Sequence, residues 1–354
     1  MPNDGPYIFI NGDIAECYTI NIDSKSRSFE IREDKIPLSQ INNCSFTCHI
    51  DHSNSTSDIN NFQFTIYPAR LSTNTFGEYE QPEKILAIAD VEGNFYALQS
   101  ILLSQKVIDK NGNWTFGCNH LVILGDLIDR GTNVFACLWL IYKLDNQAAQ
   151  CDGKVHYLFG NHELMNFNGD FRYVHPKYTG VEAIKTKYLK TFNGASFLGD
   201  WIRSKNTVEK IGDYLFMHGG MSKQLLQQKL SIKEINNMVL NIVGKKNTKD
   251  FYNVEKLLQG VYGPLWYRGM VNAGTQEDKL TESDVLIMAR FYNVKRVVIG
   301  HTVVPEFKRF FNRVVLAIDI IQPYKKNGDP VKALLIEDSK EYIVDNTGSK
   351  QEFI

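Results

Sequence analysis

The chain has 354 residues, with 39 Lys and Arg against 40 Asp and Glu for a formal net charge of -1. Balanced charge excludes the broad basic field that draws proteins to nucleic acid or to acidic membrane surfaces. No run of about 18 apolar residues offers a membrane span, and Met1-Pro2-Asn3-Asp4-Gly5 opens no leader peptide, so the expectation is a cytoplasmic chain with neither nucleic-acid nor membrane partners.

The length has room for one large domain and a small one, or two of moderate size. Over the first 80 residues apolar and polar side chains nearly alternate. Tyr7 to Ile10, Glu16 to Ile22, Ser28 to Ile31, Cys44 to Ile50 and Phe62 to Tyr67 read as strands, parted by turn clusters at Asn11-Gly12-Asp13 and Asp51 to Ser57. This predicts a small antiparallel β module over residues 1–80, with one wet face. Leu71 to Pro82 reads as a linker to residues 81–354. Six cysteines do not make a disulfide framework in a chain this long: Cys118, Cys137 and Cys151 read as reduced buried thiols, and the Cys44, Cys48 and His49 trio lacks the paired second half of a zinc site.

Past Pro82 the rhythm becomes strand, then helix. Phe95, Leu98, Ile101 and Leu102 share one face of a helix over 94–106, and Asn133 is placed to cap a second helix through Leu144. Such alternation predicts an α/β fold with a parallel or mixed sheet. Two stretches, roughly 165–210 and 221–290, are too long for plain loops and should fold as helices that shape a cleft. The tail returns to β character at Arg313 to Ile318 and Ala333 to Ile336, with a turn at Asn327-Gly328-Asp329.

Five short apolar runs each stop at a metal-ligating group. Ile85 to Ala89 ends at Asp90, Leu121 to Gly125 at Asp126, Tyr157 to Gly160 at Asn161, Tyr214 to Met217 at His218, and Val297 to Gly300 at His301. Ligand sites in α/β sheets lie beyond the carboxyl ends of strands, so these groups should converge on one edge of a sheet. Carboxylate, imidazole and carboxamide donors together suit Mn²⁺, Fe or Zn²⁺ better than a thiolate-seeking ion, and Asp126 is the natural bridge between two ions.

Gly125-Asp126-Leu127-Ile128-Asp129-Arg130-Gly131, Gly160-Asn161-His162-Glu163, His218-Gly219-Gly220 and Gly300-His301-Thr302 occur in that order. In these blocks the chain resembles the calcineurin-like metallophosphoesterases, and within them the phosphoprotein phosphatases. Asn161 to Tyr173 is most similar to the Shewanella-like protein phosphatase branch. The resemblance spans residues 90 to 302 and leaves out the first 80. It implies a calcineurin-like sandwich of mixed β-sheets flanked by helices, and a metal-dependent phosphomonoesterase acting on phosphorylated protein or peptide. It implies two divalent ions, Mn²⁺ first with Fe, Zn²⁺ or Mg²⁺ as alternatives. One would be held by Asp90, Asp126 and residue 92, the other by Asp126, Asn161, His218 and His301. A hydroxide shared by the ions would attack phosphorus in line. His162 would serve as the acid, oriented by Asp129, while Arg130 and Arg268 grip phosphoryl oxygens. Arg172 is a third arginine, better suited to pair with Asp170 or Glu163, and Glu163 and Asp319 read as buried supporting carboxylates.

Two positions depart from the pattern. Glu92 stands where the first block usually has a ligating histidine, and Val303 where many metallophosphoesterases keep a second one, which phosphoprotein phosphatases also lack. A carboxylate can still ligate through oxygen. Two rival readings accompany the phosphatase: a hydrolase of dinucleoside polyphosphates or other small phosphoesters, and a pseudophosphatase that binds phosphorylated partners, for which Glu92 is the only support.

Overall fold

The computed structural model describes residues 3–22, 28–51, 61–68, 77–245, 253–271, 279–324 and 328–354. Strands β1 (Asn3–Asn11), β2 (Ile14–Ile22) and β3 (Phe29–Pro37) form an antiparallel meander, and β4 (Phe46–Asp51) pairs with β5 (Asn61–Ile66) in a separate ribbon. Then follow β6 (Glu78–Tyr79), β7 (Lys84–Ile88), α1 (Phe95–Ser104), β8 (His120–Ile123), α2 (Val134–Ala148), β9 (Lys154–Tyr157) and α3 (Asn161–Phe167). The first long stretch folds as α4 (Pro176–Thr179), α5 (Glu182–Asn193) and α6 (Phe197–Arg203) before β10 (Val208–Ile211) and β11 (Tyr214–Met217). The second carries α7 (Lys223–Gln227), α8 (Ile232–Ile242), α9 (Asn253–Gln259) and α10 (Glu282–Phe291). The chain closes with β12 (Arg296–Ile299), β13 (Lys308–Phe310), β14 (Val315–Ala317), β15 (Lys332–Glu337), β16 (Lys340–Asp345) and β17 (Lys350–Glu352).

Two six-stranded mixed sheets make the layers of the sandwich, ordered β17-β16-β15-β7-β8-β9 and β13-β14-β12-β11-β10-β6. The parallel strands β7, β8 and β9 are almost wholly buried, which is why they read as continuous apolar runs and not as alternation. Polar bonds tie one sheet to the other: Tyr214 donates to Glu341 Oε1 at 3.0 Å, and His156 Nδ1 pairs with Glu209 Oε2. The N-terminal strands share the apolar core of the sandwich. Tyr7 packs against Phe135 with ring centroids 4.1 Å apart and planes tilted at 48°, Trp139 Nε1 donates to the Pro6 carbonyl at 2.8 Å, and Phe64 lies parallel to Phe95.

Several local expectations change. The five ligand-bearing runs belong to two sheets, three to one and two to the other, because an apolar run specifies a buried strand and not its neighbour. Within the stretch read as a linker, Glu78–Tyr79 is an edge strand hydrogen-bonded to β10; residues 71–76 lie outside the described residues. Asn133 precedes α2, but its side chain makes no cap; the first-turn N–H of Val134 donates to the Tyr178 hydroxyl at 3.0 Å instead. Asn94 does cap α1, accepting from Ala97 N at 3.0 Å. Cys137 is a buried free thiol as expected, whereas Cys118, in the turn before β8, and Cys151, at the end of the short 3-10 turn Ala149–Cys151 that follows α2, are exposed. The strands at the chain's end, β16 and β17, carried too little apolar periodicity to be read. Residues 52–57 and Asn327 of the expected turns lie outside the described residues.

Candidate active site

Backbone shape sets the site before any side chain does. Asp90 (φ 45°), Glu92 (φ 50°), Asp126 (φ 49°), Asp129 (φ 70°), Arg130 (φ 51°) and His301 (φ 62°) all occupy the left-handed region that L-residues avoid. The surrounding hydrogen bonds hold them there. Glu92 N donates to the Asp126 carbonyl at 2.8 Å, Gly93 N to Leu127 O at 2.9 Å and Gly131 N to Glu92 O at 2.8 Å, so the loops after β7 and β8 are laced together. Glu163 anchors the next loop: its buried carboxylate accepts from Gly160 N, Asp126 N and Leu127 N at 2.9, 2.9 and 3.0 Å, and from the Tyr157 hydroxyl at 2.8 Å. Gly160 is required here, since a Cβ would sit 2.2 Å from Asp126 Oδ1; at Gly300 it would lie 2.5 Å from Asp90 Oδ1.

The ligands expected from the sequence converge around Asp126. His218 Nδ1 is 2.6 Å from the Leu124 carbonyl, to which it donates, and Nε2 is turned to Asn161 Oδ1 at 2.8 Å and Asp126 Oδ2 at 3.2 Å. His301 Nε2 is buried without a hydrogen-bond partner, and its ring centroid lies 4.9 Å from that of His218. Ligand atoms of Asp126, His218 and His301 lie within 4.8 Å of one another, as do those of Glu92, Asp126 and His162, with Asp126 common to both groups. Asp90 joins neither group; its Oδ1 accepts the His301 N–H at 3.0 Å. Glu92 is also bound in an ion pair with Arg130.

Charge in the cleft matches a cation site. Burial, with Asp319 and Asp126 nearby, pushes the Asp90 carboxyl well above its ordinary value, and burial raises Asp319 to about 6. One oxygen of Asp319 has no hydrogen-bond partner. Burial alone would lower His218, but Asp126 and Asp90 carry it up to about 10. Burial lowers His301, with the His218 and Arg268 charges adding to the effect. Crowded buried carboxylates and an orphaned imidazole nitrogen are what a divalent ion would satisfy, so the residues present fit a metal centre.

His162 is held from behind. Its Nδ1 donates to Asp129 Oδ2 at 2.7 Å, leaving Nε2 directed to the cleft, 3.7 Å from Asp126 Oδ2. Asp129 is itself fixed: Asn166 Nδ2 donates to its Oδ1 at 3.0 Å, and the Tyr188 hydroxyl lies 3.3 Å from that oxygen and 3.1 Å from Asn166 Oδ1. Burial tends to lower the His162 pKa, but Asp126 and Asp129 outweigh it, so the imidazolium is favoured. Sequence reading missed this support. Asn166 could have been found at helical spacing from His162, whose carbonyl it also binds, but Tyr188 lies on a different helix with no local signal.

Arg130 is exposed at the cleft and Arg268 is exposed beside it, donating through Nη1 to the His301 carbonyl at 2.7 Å. Arg172 pairs with Asp170 at 2.7 Å, as expected, and stays out of the cleft chemistry. Val303 is exposed.

The Calcineurin-like phosphoesterase family model matches residues 83–305. A Schizosaccharomyces pombe protein of uncharacterised function is 30% identical over 70% of this chain and 75% of its own length. Shewanella-like protein phosphatase 1 of Plasmodium berghei is 29% identical over 66% of each. The crystal structure of a cold-active protein-tyrosine phosphatase from a psychrophilic Shewanella superposes over 100% of both chains with a TM-score of 0.80 and 29% identity. The chain therefore belongs to the calcineurin-like phosphoesterases, and it is a hydrolase of phosphate monoesters.

Proposed function

We propose that this hydrolase is a protein phosphatase, removing phosphoryl groups from side-chain hydroxyls of proteins or peptides. The observation that carries the reading is the pairing of Asp129 with His162 Nδ1, which leaves Nε2 free beside Asp126, the residue common to both ligand groups. The names of the Plasmodium and Shewanella proteins, a protein phosphatase and a protein-tyrosine phosphatase, support it.

Asp126, Asn161, His218 and His301 would hold one divalent ion, and Asp126, Glu92 and Asp90 the other, with Mn²⁺ or Mg²⁺ preferred over Zn²⁺ because Glu92 would supply oxygen in place of the imidazole nitrogen of the pattern this block resembles. When bound, such ions supply Lewis acidity to the phosphoryl oxygens and acidify water for in-line attack. The chain's own residues do the rest. Arg130 and Arg268 offer planar donors to equatorial phosphoryl oxygens, and the His162 imidazolium gives its Nε2 proton to the leaving oxygen.

The test is turnover of p-nitrophenyl phosphate, a phosphopeptide and a dinucleoside polyphosphate by protein loaded in turn with Mn²⁺, Mg²⁺, Fe²⁺, Zn²⁺ and Ni²⁺, with metal content measured alongside. Faster turnover of the phosphopeptide than of the dinucleotide is expected; the reverse order would favour the small-phosphoester reading. Binding without turnover of any would favour the pseudophosphatase.

A further inference from the structure

Asp4 lies near the start of β1, outside the stretch that the family model matches, and is buried at 5% exposure. It reaches the loop that carries Arg130 through one intermediary on α4. The Asp4 carboxylate pairs with Lys177 Nζ at 2.5 Å, and the same Nζ donates to the Thr132 carbonyl at 2.6 Å. The Tyr178 hydroxyl donates to that carbonyl as well, at 2.8 Å, while accepting from Val134 N at 3.0 Å.

Thr132 ends a turn in which Asp129 (φ 70°) and Arg130 (φ 51°) keep left-handed backbone. Such backbone persists only where its surroundings over-determine it. The N–H groups of this turn are held by neighbouring loops: Arg130 N by the Tyr173 carbonyl at 3.0 Å, Gly131 N by the Glu92 carbonyl at 2.8 Å and Asn133 N by the Gly93 carbonyl at 3.2 Å. Lys177 and Tyr178 hold it from the carbonyl side. A carboxylate buried as far as Asp4 needs a cation beside it, so Asp4 pins an ammonium that would otherwise swing to water, since 21% of the Lys177 side chain is exposed. We infer that Asp4 is a positioning residue: through Lys177 and the Thr132 carbonyl, the N-terminal strand sets the Arg130 guanidinium for phosphoryl oxygens. The inference rests on the reading of Arg130 as a phosphate clamp.

Inorganic phosphate is the probe, its Kd for the Mn²⁺-loaded full chain measured by calorimetry and as competitive inhibition of p-nitrophenyl phosphate turnover, with thermal melts alongside. Asp4→Asn and Lys177→Met should each weaken phosphate binding roughly tenfold, and Lys177→Arg should keep it within about twofold. The two changes together should do no more than either alone; this pair leaves no buried charge unpaired, which keeps the test open if a single variant misfolds. Trp139→Phe removes a different bond to β1, the one to the Pro6 carbonyl, and should lower Tm without moving phosphate affinity. In an Arg130→Ala background Lys177→Met should cost nothing further. Unchanged affinity in Lys177→Met and in the pair, or a loss of the same size with and without Arg130, would overturn the inference while leaving the clamp reading in place. Equal losses in Trp139→Phe and Lys177→Met would also overturn it, because the strand would then act through stability alone. If Arg130→Ala leaves phosphate affinity unchanged, or the wild type binds none, the clamp reading falls and this inference falls with it.

Discussion

His162 follows Asn161 in the chain and Arg130 is ion-paired with Glu92, so each stands beside a proposed metal ligand, and each is proposed a different task. If His162 protonates the leaving oxygen, His162→Ala should lower kcat by at least about tenfold on p-nitrophenyl phosphate and by more on an alkyl phosphate, because a phenoxide needs less protonation and general acid assistance is typically worth about 10² to 10⁴. Equal losses on the two substrates would show that it is not the acid. Asp129→Asn keeps the shape but removes the charge facing His162 Nδ1, and a smaller loss with the same substrate bias is expected. Arg130→Ala should raise KM and lower kcat together, since an equatorial clamp acts on both ground and transition states. An unchanged kcat/KM would take Arg130 out of the site.

Among the elements, the junction of β8, β9 and β10 carries a chain of titratable side chains. His120 Nδ1 lies 3.0 Å from His156 Nε2, whose other nitrogen pairs with Glu209, and Glu209 accepts from Asn206 Nδ2 at 2.6 Å and from Tyr79 at 3.4 Å. Lys154 adds its charge to this side. Burial, then the His156 and Lys154 charges, lowers the His120 pKa from 6.5 to about 3. Between those values the unfolded chain binds a proton that the folded chain refuses, so stability falls as pH drops through that window. Glu209 works in the same direction: its pKa is held low, chiefly by His156 against the pull of burial, and its contribution is lost as pH falls through that lowered value. Thermal melts of His120→Asn should therefore depend less steeply on pH below 6.5 than those of the wild type. Identical slopes would place the acid sensitivity elsewhere. The loop junction beneath the cleft is sensitive for another reason: Glu163→Ala leaves three buried N–H groups without their acceptor, and at about 1 to 3 kcal/mol for each unsatisfied group it should cost several kcal/mol in chemical denaturation.

At the scale of the whole molecule, the N-terminal strands and the sandwich behave as one packed body. Deleting residues 1–80 removes the partners of Phe135, Trp139 and Phe95 and strips β10 of its edge strand. Such a truncation should be insoluble or melt far below the full chain. A soluble truncation with wild-type melting would mean that the module is an independent attachment. Bound metal stabilises the folded form by mass action, about 2.7 kcal/mol at a hundredfold excess over Kd. Chelation should therefore lower Tm by several degrees, and Asn161→Ala should reduce that difference. No helix among the described residues is long and apolar enough to cross a membrane.

Much of the site was legible locally. Asp126, Asn161, His218 and His301 each follow directly on a buried apolar run, and burial of a parallel strand leaves little choice but continuous Val, Ile and Leu up to the point where the chain reaches the cleft. Asp129, Arg130 and His162 lie within four residues of those strand-end positions in the chain. Tertiary structure alone decided which strands share a sheet, because an apolar run is compatible with any buried neighbour. It decided that Asp129 rests on Tyr188, 59 residues away in sequence, and that Asp90 meets the His301 backbone across 211 residues. It also set Tyr173 beside His162, through a backbone bond that no pattern of side chains encodes. Side-chain periodicity reports burial, whereas contacts across loops depend on where the backbone turns, and here it turns through left-handed residues that the sequence does not mark with glycine.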